Sequence, residues 1–111
     1  MTAFRLDDLA DDLAVVRAEG RLNMVAAPEL RELVGAAVKA GKVRIVVDLS
    51  QVEFMDSSGL GALIGALKTT RQAGGDLRIA APSEQVSLVL ALSNVDRILK
   101  PYPSPDDAFA S

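Results

Sequence analysis

The stretch of this 111-residue chain with chemical content is Asp56-Ser57-Ser58-Gly59, within Phe54-Met55-Asp56-Ser57-Ser58-Gly59-Leu60-Gly61. Beyond it Leu60, Leu63, Ile64 and Leu67 recur at i, i+3, i+4 and i+7, which places a helix start close to Ser57. A helix start collects unpaired backbone N–H groups and the positive end of the helix dipole, so it suits an anion. A phosphoryl group on Ser57 would bring about −1.5 to −2 charges and three strong acceptors there. Interactions of that kind are worth roughly 0.3–1 kcal/mol, so the domain would tolerate the group. A partner whose interface covered Ser57 would not. The plainer alternative is that Asp56 or Ser57 caps the helix, the commonest role of both residue types at such a position. Gly59, Gly61 and Gly65 go beyond capping, since each costs about 1 kcal/mol relative to alanine inside a helix. Their small size must serve either close packing on a sheet, the commoner cause, or the approach of a partner.

Other chemistries fail on missing residues. The chain has neither cysteine nor histidine. That removes disulfides, thiolate metal sites, cysteine nucleophiles, the usual neutral-pH base and the commonest metal ligand. No catalytic residue, metal site or cofactor is therefore expected. Ser57 as a hydrolase nucleophile lacks both a base and a G-x-S-x-G elbow. Ile45-Val46-Val47-Asp48 resembles the acidic strand end of a nucleotide hydrolase, but no phosphate loop accompanies it, and Asp48 reads as a strand-end or turn residue. As a response-regulator phosphoacceptor Asp48 would need an acidic pair at an earlier strand end, where only Glu19 stands. Enzyme is the weakest class. A nucleotide-binding domain could use the helix start for a phosphate, yet no base-recognition residues stand out.

The elements that must position Ser57 follow from periodicity. Residues 4–9 and 13–18 read as two strands around the acidic turn Asp11-Asp12, with Gly20 as punctuation. Pro28 opens a helix of about 14 residues, with Leu30, Leu33, Val34, Ala37 and Val38 at helical spacing and Gly41 as its stop. Val43 to Leu49 is a nearly continuous β-branched run, as in a strand covered on both faces. The Ser57 helix ends at Gly74-Gly75, and Leu77, Ile79 and Ala80 form another buried strand. Residues 83–93 are ambiguous, because Leu88, Leu90 and Leu92 alternate like a strand while Val86, Val89 and Leu90 fit a helix. Pro82-Ser83-Glu84 resolves them as a helix start. Ile98-Leu99 suggests a last short strand, and Ser104-Pro105-Asp106-Asp107 a final helix start. Strands alternating with helices after a β start predict an α/β fold, a small mixed sheet flanked by about four helices, in one domain over residues 1–111.

Charge narrows the partners. Twelve basic and fifteen acidic residues give a net −3, all of it in the first twenty residues, where five carboxylates face two arginines. Without a basic stripe or more than four aromatic rings, nucleic acid is not an expected ligand. No apolar run approaches the roughly 20 residues of a membrane span, so no membrane insertion is expected. Met1-Thr2-Ala3-Phe4-Arg5 lacks the order of a signal peptide, and the expected address is the cytoplasm.

Several segments together carry a family resemblance. They are Gly20-Arg21-Leu22-Asn23, Ala27-Pro28-Glu29-Leu30, Val46-Val47-Asp48-Leu49-Ser50, the 54–61 string and Gly74-Gly75-Asp76-Leu77. In this order and spacing, over roughly residues 4–109, the chain resembles the STAS domain of bacterial anti-sigma factor antagonists (anti-anti-sigma factors). The resemblance implies a partner-switching module that binds an anti-sigma factor, itself a GHKL-type serine kinase, and so releases a sigma factor or another client. It implies phosphorylation of Ser57 by that kinase, expulsion of the domain, and recovery through a PPM-type phosphatase. It also implies that Asp56, Ser57, Ser58, Gly59 and Leu60 line the kinase-facing surface, with the region of Asn23 joining it. Asn23 stands where the family often has aspartate, in a G-x-[ILV]-D pattern, which bears on phosphorylation or partner choice; an amide still hydrogen-bonds. STAS domains also serve as unphosphorylated subunits of lipid-trafficking ABC transporters or as scaffolds. The full D-S-S-G string favours the phosphoswitch.

Overall fold

The computed structural model describes residues 3–109. Strands β1 (Ala3–Asp8) and β2 (Leu13–Leu22) form an antiparallel pair around the acidic turn. Helix α1 (Ala27–Lys39) leads to β3 (Arg44–Met55), α2 (Ser57–Gln72) to β4 (Asp76–Ala80), and α3 (Glu84–Leu92) through a 3-10 turn (Val95–Arg97) to β5 (Pro101–Tyr102). A short helix, α4 (Pro105–Ala108), follows. The five strands lie in chain order in one mixed sheet, with β2 to β5 all parallel. This is the expected α/β architecture.

Alternation along the strands sorts the core. Ala14, Val16, Ala18, Ile45, Val47, Leu77 and Ile79 point to one face, where they meet Leu30, Val34 and Ala37 of α1, Leu63, Ala66 and Leu67 of α2, and Val86 and Leu90 of α3. Val15, Val46 and Ala80 point to the other face, where α4 covers them through Ala108 and Phe109. Arg78 holds that cover, donating Nη1 to the Ala108 carbonyl at 2.7 Å with its guanidinium over the Phe109 ring at 4.3 Å. Farther along the same face Arg17 bridges Asp7 at 2.6 Å and Asp48 at 3.0 Å.

Three boundaries differ from the sequence expectation. β3 does not end at Leu49 but runs on to Met55, and Asp48 lies inside it, 8 % exposed and paired with Arg17. The cause is a pair of register shifts against β2. They make the inward positions step from Leu49 to Val52 to Met55, three residues at a time instead of two, which erases the alternation. β2 likewise continues through Gly20 to Leu22, and Gly20 takes φ +95° beside one of those shifts, a conformation that suits glycine. The last strand is Pro101–Tyr102, not Ile98-Leu99. Leu99 is buried because its N–H closes a turn onto the Val95 carbonyl at 2.8 Å, whereas the ladder to Ile79 and Ala80 is made by the next residues. Proline is admissible there because β5 is an edge strand.

Candidate functional site

β2 and β3 end side by side, with Leu22 opposite Met55. Asp56 therefore lies beside Asn23, and its N–H donates to the Leu22 carbonyl at 3.3 Å. Asp56 is extended (φ −107°, ψ −173°), and its Oδ1 accepts the Gly59 N–H at 3.0 Å. It is the N-cap of α2, while its own carbonyl accepts the Leu60 N–H at 3.0 Å. Asp56 thus does the capping, and Ser57, the first residue of the helix, is left exposed. Among the described residues the N–H groups of Ser57 and Ser58 have no acceptor, as expected for the first turn of a helix facing solvent.

Gly59 is buried, and the structure shows why no larger residue fits. A Cβ there would lie 2.2 Å from the Leu22 carbonyl oxygen and 2.9 Å from its Cγ. Its part is to let the first turn of α2 close on the end of β2, not to offer a side chain to a partner. Gly61 and Gly65 differ: a Cβ at either would meet only the Arg31 side chain, at 3.8 Å.

Asn23 shapes the neighbouring turn. Its Oδ1 accepts from Val25 N at 3.1 Å and Ala26 N at 3.2 Å, and its carbonyl accepts the Ala27 N–H at 2.9 Å. An aspartate oxygen could accept the same two bonds, so the amide preserves this turn and removes a charge. Of the three residues between Asn23 and α1, Met24 and Val25 are 72 % and 84 % exposed and Ala26 is buried.

Sequence reasoning missed two features. Gln85, at the start of α3, clamps the backbone of Met55: its Oε1 accepts the Met55 N–H at 2.9 Å and its Nε2 donates to the Met55 carbonyl at 3.2 Å. β4 stops at Ala80 and leaves this end of β3 without a strand neighbour on the side away from β2, so a side chain completes the ladder there. Nothing in local sequence marks a glutamine for that task. The second feature is a shallow groove of about 320 Å³ between α2 and α3, with Leu60, Val89 and Leu92 as its apolar wall and Ser57 at its rim. A signal for it existed in the leucine alternation of 83–93. Only Leu90 is buried, whereas Leu88 and Leu92 face solvent at 58 % and 76 %. Ser57 therefore stands among exposed or half-buried apolar residues, with Leu60 half-buried one turn below it.

No described helix is long and apolar enough to cross a membrane, and the described residues contain no cluster of acidic side chains able to hold a metal ion. Comparison with known proteins is specific. Residues 8–108 match the STAS domain family. The anti-sigma-B factor antagonist of Staphylococcus epidermidis is 30 % identical over 80 % of this chain and 82 % of its own length. The crystal structure of an anti-sigma factor antagonist from Mycobacterium paratuberculosis is 30 % identical, with a TM-score of 0.83 over 96 % of this chain and 90 % of that one. The anti-sigma factor antagonist SpoIIAA in its unphosphorylated form is 26 % identical, with a TM-score of 0.78 over 89 % of this chain and 87 % of its own. The Bacillus protein SpoIIAA in its phosphorylated form is 25 % identical, with a TM-score of 0.71 over 89 % and 90 %. A match over nearly the whole described chain, from family to fold, settles the affiliation: the chain belongs to the STAS domain family, among relatives that are anti-sigma factor antagonists.

Proposed function

We propose that the chain is an anti-sigma factor antagonist acting as a cytoplasmic binding switch without catalysis of its own, in one domain over residues 1–111. Its unphosphorylated form binds a GHKL-type anti-sigma factor and serine kinase, and binding releases the client. The kinase then transfers the γ-phosphoryl group of ATP to the Ser57 oxygen; ADP leaves, and a kinase base takes the hydroxyl proton. A PPM-type phosphatase returns the hydroxyl by hydrolysis to inorganic phosphate.

The observation that carries this reading is the division of labour between Asp56 and Ser57. Asp56 supplies the cap, so Ser57 is exposed and carries no structural hydrogen bond that modification would break. The surface around it explains how one phosphate switches binding. Leu60 and Leu92 offer apolar contact area beside Ser57, the exposed Met24 and Val25 follow Asn23 at the same end of the sheet, and Asn23, Asp56 and Ser58 supply polar contacts. A partner that covers this area must desolvate a phosphorylated Ser57, at a penalty of several kcal/mol, roughly. Each 1.4 kcal/mol is about tenfold in affinity, so the complex weakens by about a hundredfold or more. An unphosphorylated transporter subunit or scaffold is the second reading, and it gives Ser57 no role.

Phosphopeptide mapping of the protein from its own host across growth conditions tests the proposal, with capture of partners by tagged wild type, Ser57→Ala and Ser57→Asp. One phosphoryl group on Ser57, and a GHKL kinase retained by wild type and Ser57→Ala but lost by Ser57→Asp, is expected. Ser57 unmodified throughout, with transporter subunits captured equally by all three, would sink it.

A further inference from the structure

Arg31 lies in the second turn of α1, which packs beside α2, and both helices begin at the same end of the parallel strands. Its side chain runs along the lane opened by Gly61 and Gly65. The atom nearest the Gly65 position is Nε and the atom nearest Gly61 is Nη2, each 3.8 Å from where a Cβ would stand. The fork of the guanidinium is thus the part on the Gly61 side. Gly61 is four residues after Ser57, one turn away on the same helix face, with about 5–6 Å between the Cβ positions. An alanine at Gly61 or Gly65 would stand in ordinary contact with the guanidinium, whereas a longer side chain would compete with it for that lane.

Arg31 is exposed, and among the described residues it enters no ion pair or side-chain hydrogen bond. It is also the one cation in the first two turns of α1 and α2, where the other charged residues are Glu29 and Glu32, and the α2 cap Asp56 is acidic as well. An arginine fork with no carboxylate partner, held one turn from a phosphorylatable hydroxyl, matches a phosphate by geometry and charge.

We propose that Arg31 is the residue that receives the phosphoryl group on Ser57, bonding it across the helix pair within the same chain. This rests on the reading of Ser57 as the phosphorylated residue and adds what becomes of the group afterwards. The phosphate is drawn over Gly61 towards α1 and neutralised in part by Arg31, so the phosphorylated form is a defined state of the domain. Arg31 is a positioning residue for the modified state, with no part in the transfer itself.

The test uses the full chain with phosphoserine installed at position 57 by amber suppression, which needs no kinase. The 31P signal is titrated in wild type, Arg31→Gln and Arg31→Lys, each checked for folding by its thermal transition. In wild type the second phosphate pKa lies below its ordinary value of about 6. Arg31→Gln raises it by roughly 0.5 or more, because the cation across the helix pair is gone while Asp56 remains. Arg31→Lys, which keeps the charge and loses the fork, falls between the two. An identical titration in all three folded proteins would overturn the proposal. The outcome is independent of whether the host ever phosphorylates Ser57, so failure of this contact and failure of the switch are told apart.

Discussion

Gly59 offers the sharpest test of how the site is built. Its neighbours Gly61 and Gly65 share its chemistry and its helix, yet only Gly59 faces a backbone carbonyl, 2.2 Å from the position of an added Cβ. Ordinary carbon contacts need about 3.5 Å, so Gly59→Ala requires α2 and the end of β2 to part by on the order of 1 Å. Overpacking of this kind costs about 1–3 kcal/mol, and the clashing atom belongs to a strand that cannot rotate away. Against this stands a gain of up to about 1 kcal/mol from helix propensity. The clash wins, with a net loss of about 1–2 kcal/mol, whereas Gly61→Ala and Gly65→Ala meet only the flexible Arg31 side chain and keep the gain. In thermal unfolding Gly59→Ala should melt about 4–16 °C lower and the other two no lower than wild type, taking about 4–8 °C per kcal/mol. A Gly59→Ala protein as stable as Gly61→Ala would show that the first turn of α2 does not close on Leu22, and the placement argued for Ser57 would fall with it.

Two further outcomes follow from the surroundings of the site. Gln85→Leu removes both partners of the buried Met55 backbone and should lower stability in urea unfolding by about 1–3 kcal/mol, with faster hydrogen exchange at the Met55 amide; unchanged exchange would refute the clamp. The Arg17 guanidinium bonded to Asp7, and the Arg44 guanidinium bonded to Asp12, hold both carboxyls below their ordinary value of 3.8. A lowered folded pKa means that this contribution is complete above pH 3.8 or so and lost as pH falls through the folded values. Stability should therefore drop below about pH 4, and the gap between wild type and an Asp7→Asn, Asp12→Asn double variant should narrow there. A gap that stays constant or widens on acidification would contradict the assignment.

The sequence carried the elements whose residues answer to local rules. Asp56 before an apolar 3.6-residue period announced the start of α2, Ser83 that of α3, and the Gly74-Gly75 pair the end of α2. Where the chain obeyed a longer-range rule it was illegible. The two register shifts in β3 break its alternation only because β2 lies beside it with its own spacing, so the strand seemed to stop six residues early. Gln85 and Met55 are thirty residues apart and meet because β4 is short. The leucines of α3 confused the reading because Leu88 and Leu92 are surface residues, the second of them at the edge of the Ser57 groove.

These same contacts explain why the proposed phosphorylation of Ser57 would leave the fold unchanged. The turn that carries it is fixed by the Asp56 cap, by the Asp56 N–H on Leu22, by the Gly59 approach and by the Gln85 clamp. None of the four uses the Ser57 side chain. A phosphate there leaves every one of them intact, so its energy is not spent on unfolding or rearranging the domain. On the proposed reading it would be expressed at the surface, against a partner that would have to bury it and towards the cation one turn away. A switch built this way needs a rigid site. A variant that loosened it, such as Gln85→Leu, should weaken partner binding even while Ser57 remains unmodified, because ordering the turn would then be charged against the complex. If Gln85→Leu bound its partner as tightly as wild type, the rigidity of this turn would have no part in recognition.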